Sequence, residues 1–162
     1  MALFRPLAAL LLFALAACAT TASRPRAPSW FVMRHLQKAE GQDPGLSAEG
    51  AGNAGRLASW FEPGDRPAAI YVSTTRRARE TAAPLAARLG LTPKEYDPGD
   101  TPGLVSRVQA EAGTVLIVGH SNTVPEIVAR LGGDRPADLA DGDYGDIFRV
   151  RRDGSVERLR LH

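Results

Sequence analysis

The chain has 162 residues, 44% hydrophobic and 23% charged, which is enough apolar content to bury one core and too little length for a multidomain assembly. Its 20 basic and 18 acidic residues leave a formal charge of +2 with no basic run to track a phosphate backbone, so nucleic acid is not an expected partner. One cysteine excludes an internal disulfide, and one cysteine with three histidines excludes a cysteine-rich zinc module.

In chain order, residues 1–17 carry a single positive charge, Arg5, and then an almost unbroken apolar run from Leu7 to Ala17. That run is shorter than the ~20 residues of a spanning helix, and reads as a signal peptide. Leu15-Ala16-Ala17-Cys18 resembles the bacterial lipobox, whose cysteine is lipidated and becomes the mature N-terminus. The resemblance implies a membrane partner through a lipid anchor at Cys18 and a place in the bacterial cell envelope. Ala19 after the cysteine, where an aspartate would retain the protein, implies the outer membrane with the domain facing the periplasm. Residues 18–29, rich in Ser, Thr, Pro and Arg, are expected to be the lipidated cysteine and a flexible tether, and residues 30–162 the folded domain.

Within that domain, apolar runs predict strands at Trp30–Met33, Ala69–Val72, Thr114–Val118 and Ile147–Val150, with Val156–Leu161 alternating as an edge strand. Helical spacing joins Ala51, Ala54, Leu57, Ala58 and Phe61, then Ala78, Ala82, Leu85, Ala86 and Leu89, then Val124, Ile127, Val128 and Leu131. Ser47 is a candidate N-cap, and Gly90 and Gly132-Gly133 are candidate helix ends. Pro84 falls inside the second helical pattern, where a kink or a lost bond to Glu80 is expected. Asp97 to Pro102 reads as a loop, followed by a weaker amphipathic stretch through Leu104, Val105 and Val108. The alternation predicts a three-layer α/β/α domain with a mostly parallel sheet, whose ligand crevice lies at the carboxyl ends of the strands.

Two motif matches fail on context. Gly50-Ala51-Gly52-Asn53-Ala54-Gly55 has the letters of a dinucleotide fingerprint but no strand before it, so a glycine-tolerant helix is the better reading. Gly119-His120-Ser121-Asn122-Thr123 places threonine where a nucleophile elbow needs its second glycine, and no P-loop pattern occurs.

The histidines carry the chemistry. His35 follows the first strand directly, after Arg34, and His120 follows the Thr114–Val118 strand after Gly119, so both are expected at strand carboxyl ends. A neutral imidazole can attack phosphorus to form a phosphohistidine, while Arg34 and a second arginine hold the phosphoryl oxygens bidentately; nearby cations also disfavour protonation of the nucleophile.

These residues resemble the histidine phosphatase superfamily, of phosphoglycerate mutase-like fold, over most of the chain from Trp30. Arg34-His35 is similar to its Arg-His signature, Ser73-Thr74-Thr75-Arg76-Arg77-Ala78-Arg79-Glu80-Thr81-Ala82 to its second signature, and Val118-Gly119-His120-Ser121-Asn122 to its second-histidine motif. The resemblance implies a phosphomonoester hydrolase with His35 as nucleophile, Arg34 and Arg77 gripping the phosphoryl group, and His120 donating a further hydrogen bond to it. It implies a small phosphorylated substrate and neither a metal nor an organic cofactor. Arg76 and Arg79 are then solvated helix residues, and Lys38 stands where some members carry a basic residue that touches substrate. Leu36 replaces a small residue and is expected to narrow the approach to His35, and Gly41 replaces an asparagine of the mutase branch. Glu95, Asp97, Asp100 and Asp143 are candidates for the general acid. Short connections favour hydrolysis over mutase chemistry, which needs a shielding lid. Leu36 and the unassigned acid motivate the alternative of an inactive phosphate-binding envelope lipoprotein.

Overall fold

The apolar runs become strands and the helical spacings helices in a computed structural model that describes residues 27–162; Cys18 and the residues expected to form a signal peptide and most of a tether lie outside the described residues. The elements in order are β1 (Ser29–Arg34), α1 (Ala48–Trp60), β2 (Ala69–Ser73), α2 (Arg76–Leu89), β3 (Lys94–Tyr96), α3 (Thr101–Gln109), β4 (Val115–Gly119), α4 (Val124–Arg130), β5 (Asp146–Arg151) and β6 (Val156–Arg160). They form one six-stranded sheet in the order β3-β2-β4-β1-β5-β6. The four strands from β3 to β1 are parallel, whereas β5 and β6 join antiparallel on the β1 side.

Alternation along the central strands sorts the core into two layers. Phe31 and Met33 of β1, Ile70 and Val72 of β2, and Leu116 and Val118 of β4 pack with Leu57 of α1 and Ala82 and Leu85 of α2. Trp30, Val32, Tyr71 and Ile117 point the other way, onto Leu104 and Val108 of α3 and Ile127 and Val128 of α4. Helices therefore cover both faces, as the strand–helix alternation predicts.

Local signals account for the helix ends. The Ser47 hydroxyl accepts the Gly50 N–H at 3.1 Å, and Gly90 closes α2 in the left-handed conformation with φ 66°. Pro84 departs from expectation: α2 runs unbroken through it, anchored by the buried Ala82, Leu85 and Ala86, so the cost is confined to the N–H that proline lacks. The weaker stretch at 101–109 is a helix, capped by Asp100, whose carboxylate accepts the Gly103 N–H at 2.9 Å.

The glycine triplet lies inside α1, not at a strand end. Gly50 faces the segment after β1 so closely that a Cβ would stand 2.0 Å from the Gln37 carbonyl oxygen, whereas Gly52 and Gly55 face open space. Gly50→Ala is expected to destabilise the fold by about 1–3 kcal/mol through overpacking. Gly52→Ala and Gly55→Ala are expected to stabilise it by about 0.5–1 kcal/mol each through helix propensity. Urea unfolding midpoints of the three variants check the opposite signs.

Candidate active site

The sheet register brings the two histidines together. β1 and β4 pair in parallel with Arg34 opposite Gly119, so the next residues, His35 and His120, leave neighbouring strand ends side by side. The His35 N–H continues the ladder by donating to the Gly119 carbonyl at 2.9 Å, and the two imidazole centroids are 5.3 Å apart. β2 ends one strand over with Ser73, whose hydroxyl lies 2.8 Å from His120 Nε2. The turn after β2 is short, so α2 begins at Arg76 and points Arg77 back over the crevice.

Arg77 ties the cluster. Its Nε donates to His35 Nε2 at 3.0 Å, and its Nη2 lies 3.3 Å from His120 Nδ1. On the far side of the first ring, His35 Nδ1 lies 2.8 Å from the Leu36 carbonyl. A carbonyl only accepts and a guanidinium only donates, so the proton of neutral His35 is on Nδ1 and the lone pair on Nε2, directed at Arg77.

Arg34 is placed differently from Arg77. Its Nη1 donates to the Ala140, Asp141 and Asp143 carbonyls at 2.8, 3.1 and 3.3 Å. Its Nη2 donates to the Tyr144 hydroxyl at 3.4 Å, and its guanidinium carbon sits 4.2 Å over the Tyr144 ring. Its Nε is buried without a hydrogen-bond partner among the described residues. Arg34 thus clasps the 140–144 loop and keeps one unsatisfied N–H. Tyr144, with its ring 6.0 Å from that of His35, is a site residue that sequence reasoning missed. The signal that places it is the direction of β5: an antiparallel strand beginning at Asp146 starts at the end where β1 and β4 finish, so the loop before it overhangs the crevice.

Burial dominates the electrostatics. It lowers His35 from 6.5 to about 4; the hydrogen bond to Leu36 opposes this, and the charges of His120, Arg77 and Arg34 add to it. His120 is lowered from 6.5 to about 4 by burial and then by Arg77 and Arg34. Both rings are neutral at pH 7. Because the folded values lie below the unfolded one, the unfolded chain binds more protons between pH 6.5 and about 4. Stability is accordingly full above pH 6.5 and is lost as pH falls through that window. The urea midpoint should drop between pH 6.5 and 4.5, with a shallower slope in His120→Asn; an unchanged slope in that variant would show that the ring titrates normally in the folded protein.

The remaining sequence candidates fall apart from this cluster. Leu36 corrects an expectation: its side chain is fully buried in the core layer with Met33, Leu57 and Ala78, and so does not narrow the crevice. Lys38 is exposed and pairs through its backbone with Leu46. Glu95 pairs with Arg79 at 3.4 Å, Asp97 accepts the Gly99 N–H at 2.8 Å, and Asp100 caps α3. The Asp143 carboxylate accepts the Ala140 N–H at 2.8 Å, shaping the clasped loop. None of the four makes a hydrogen bond or ion pair with His35, Arg77 or His120.

A cleft of about 350 Å³ is lined by Ser121 and Asn122, the two residues after His120, with Arg135, Asp138 and Leu139. A larger cavity, about 550 Å³, opens beside Phe31 and Trp60 around the Asp65–Arg149 ion pair. It contains neither histidine, and size alone does not make it the reactive site. Among the described residues no group of three or more His, Cys, Asp or Glu is placed to hold a metal ion, and no helix is long and apolar enough to cross a membrane.

Residues 30–99, which include Arg34, His35 and Arg77 and stop short of His120, match the family model of the histidine phosphatase superfamily (branch 1). No curated protein matches the chain by sequence. The fold is similar to that of the protein histidine phosphatase SixA complexed with tungstate, with TM-score 0.60 and 20% identity over 81% of this chain and 94% of that one. It is also similar to a mycobacterial glucosyl-3-phosphoglycerate phosphatase in complex with inorganic phosphate, with TM-score 0.62 and 17% identity over 84% of this chain and 98% of that one. The architecture is the phosphoglycerate mutase-like α/β/α fold expected from the sequence.

Proposed function

We propose that this chain is a phosphatase of the histidine phosphatase superfamily, hydrolysing phosphomonoesters through a phosphohistidine on His35 without a metal or organic cofactor. The observation that carries the reading is the direction of the His35 lone pair: Nδ1 is engaged by the Leu36 carbonyl, and Nε2 meets the Arg77 guanidinium at 3.0 Å. Arg77 marks where a phosphoryl oxygen would sit. When substrate enters, Arg77 exchanges its contacts with the two rings for phosphoryl oxygens and leaves Nε2 free to attack phosphorus. The unpartnered Nε–H of Arg34 supplies a second donor. In the free protein Arg77 donates to His120 Nδ1, so the ring proton is on Nε2, toward the Ser73 hydroxyl. Once Arg77 turns to the phosphoryl oxygens, the other tautomer, with the Ser73 hydroxyl donating to Nε2, places the proton on Nδ1 for the same group. Water then hydrolyses the phosphoenzyme.

The family model match over 30–99 supports this reading, as do the tungstate and phosphate held by two structures of the same fold, both tetrahedral oxyanions. The full-length protein, incubated with a ³²P-labelled aryl phosphate and EDTA, should release phosphate and carry an acid-labile label on His35. Saturable phosphate binding with neither label nor turnover would replace this reading with the inactive binding lipoprotein.

The anchor is proposed on the sequence alone. Labelled palmitate should enter the protein when it is expressed in bacteria and be absent from Cys18→Ser; equal labelling of the two would remove the anchor.

A further inference from the structure

The loop between His35 and α1 brings a fifth carboxylate to the site, outside the four sequence candidates. Asp43 has φ 45°, in the left-handed region, and is the one non-glycine residue with positive φ among those described. Such conformations persist where surrounding contacts hold them, and they gather at functional sites. The contacts are present here. Asp43 Oδ1 accepts the Arg76 main-chain N–H at 3.0 Å, taking at the start of α2 the place that Thr75 leaves without a side-chain cap. The segment beside it is fastened to the same helix, with the Leu46 N–H donating to Glu80 Oε2 at 2.6 Å and Arg76 Nε to Glu80 Oε1 at 2.6 Å. It is also closed on itself by Ala39 N–H to the Gly45 carbonyl at 3.0 Å.

From that anchored position Asp43 Oδ1 lies 3.7 Å from Arg77 Nη1, while Nε and Nη2 of the same guanidinium face His35 and His120. Among the described residues it is the carboxylate within ion-pair distance of the histidine–arginine cluster. Its side chain is 52% exposed, so it can exchange protons with solvent. A phosphoryl group held by Arg77 would therefore stand beside this carboxyl, which can give a proton to a leaving oxygen or take one from water.

We propose that Asp43 is the acid–base residue of the reaction, an inference that rests on the phosphohistidine reading above. In the first half, His35 Nε2 forms its bond to phosphorus as the bond to the leaving oxygen breaks, and the Asp43 carboxyl proton passes to that oxygen. In the second half, a water oxygen bonds to phosphorus and a water proton passes to the Asp43 carboxylate. The nitrogen–phosphorus electron pair returns to Nε2, inorganic phosphate departs, and the carboxyl is reset. Alkyl phosphates, whose leaving alkoxides need a proton, depend on this residue; aryl phosphates with acidic phenols depend on it only in the second half.

The test is Asp43→Asn and Asp43→Glu in the full-length protein, with glycerol phosphate and p-nitrophenyl phosphate as substrates. Asp43→Asn should lose about 10²- to 10⁴-fold in kcat/KM on the alkyl ester, the usual range for a missing proton donor. On the aryl ester kcat/KM should stay within about 3-fold, since the chemistry of the first half needs no proton there. Nitrophenol should then appear as a burst equal to the enzyme concentration, with labelled His35 accumulating. Asp43→Glu should restore part of the alkyl activity, which distinguishes proton transfer from capping of α2. Equal losses on both substrates, or none, with no phosphoenzyme accumulating, would overturn the role of Asp43 and leave the nucleophile in place. A wild-type protein that never labels His35 would overturn the parent reading together with this one.

Discussion

Replacement of His35 by asparagine is expected to abolish phosphate release, with a fall of at least about 10⁴-fold in kcat, as in enzymes that lose their nucleophile. Asparagine retains a donor for the Leu36 carbonyl and removes the Nε2 lone pair that Arg77 now faces. The fold should therefore survive while the chemistry does not, and phosphate or vanadate should still raise the melting temperature of the variant, because a ligand that binds only the folded state stabilises it. The wild type should also show an acid limb near pH 4, the value to which His35 is lowered, where an ordinary imidazole would lose activity near 6.5. Undiminished turnover in His35→Asn would end the phosphohistidine mechanism, and an acid limb at 6.5 would show that the ring is less enclosed than its surroundings require.

Replacement of Arg77 by lysine is the second large effect, expected at about 10²- to 10³-fold in kcat/KM, the range seen when one charge-stabilising donor is lost. The charge is conserved, but the planar fork is not. Arg77 spans His35 Nε2, His120 Nδ1 and the Asp43 carboxylate with three separate nitrogens. An ammonium concentrates its donors at one point and cannot keep that spacing. Because burial outranks Arg77 among the causes that lower both histidines, Arg77→Ala should move the acid limb only part of the way back toward 6.5. A lysine variant with full activity would mean that positive charge alone suffices, and that the phosphoryl group is held elsewhere.

What could be read without coordinates follows from how local each signal is. β1 and β4 are continuous apolar runs that end at Arg34-His35 and Gly119-His120, so strand, strand end and histidine are read from one short stretch each. Arg77 is legible because it opens the helix that follows β2. β3 is not, because its three residues Lys-Glu-Tyr are mostly exposed and owe their conformation to pairing with Tyr71, Val72 and Ser73. Leu36 misleads for a related reason. Its size is visible in the sequence, but its direction is set by the donation of its N–H to Thr81, 45 residues away, at 3.0 Å. Asp43, Tyr144 and the clasp of Arg34 on the Ala140, Asp141 and Asp143 carbonyls are likewise products of long-range closure, which no periodicity encodes.

The antiparallel entry of β5 has an evolutionary reach. Ile147 is locked to Met33 and Phe148 to Val32 by the ladder itself, so the stretch between α4 and β5 can be lengthened or rewritten without disturbing a strand. Surface connections of this kind tolerate insertion far better than the elements they join. A lineage could thus remodel what overhangs His35, and with it the range of molecules admitted, by editing one span of chain while the imidazole keeps its place.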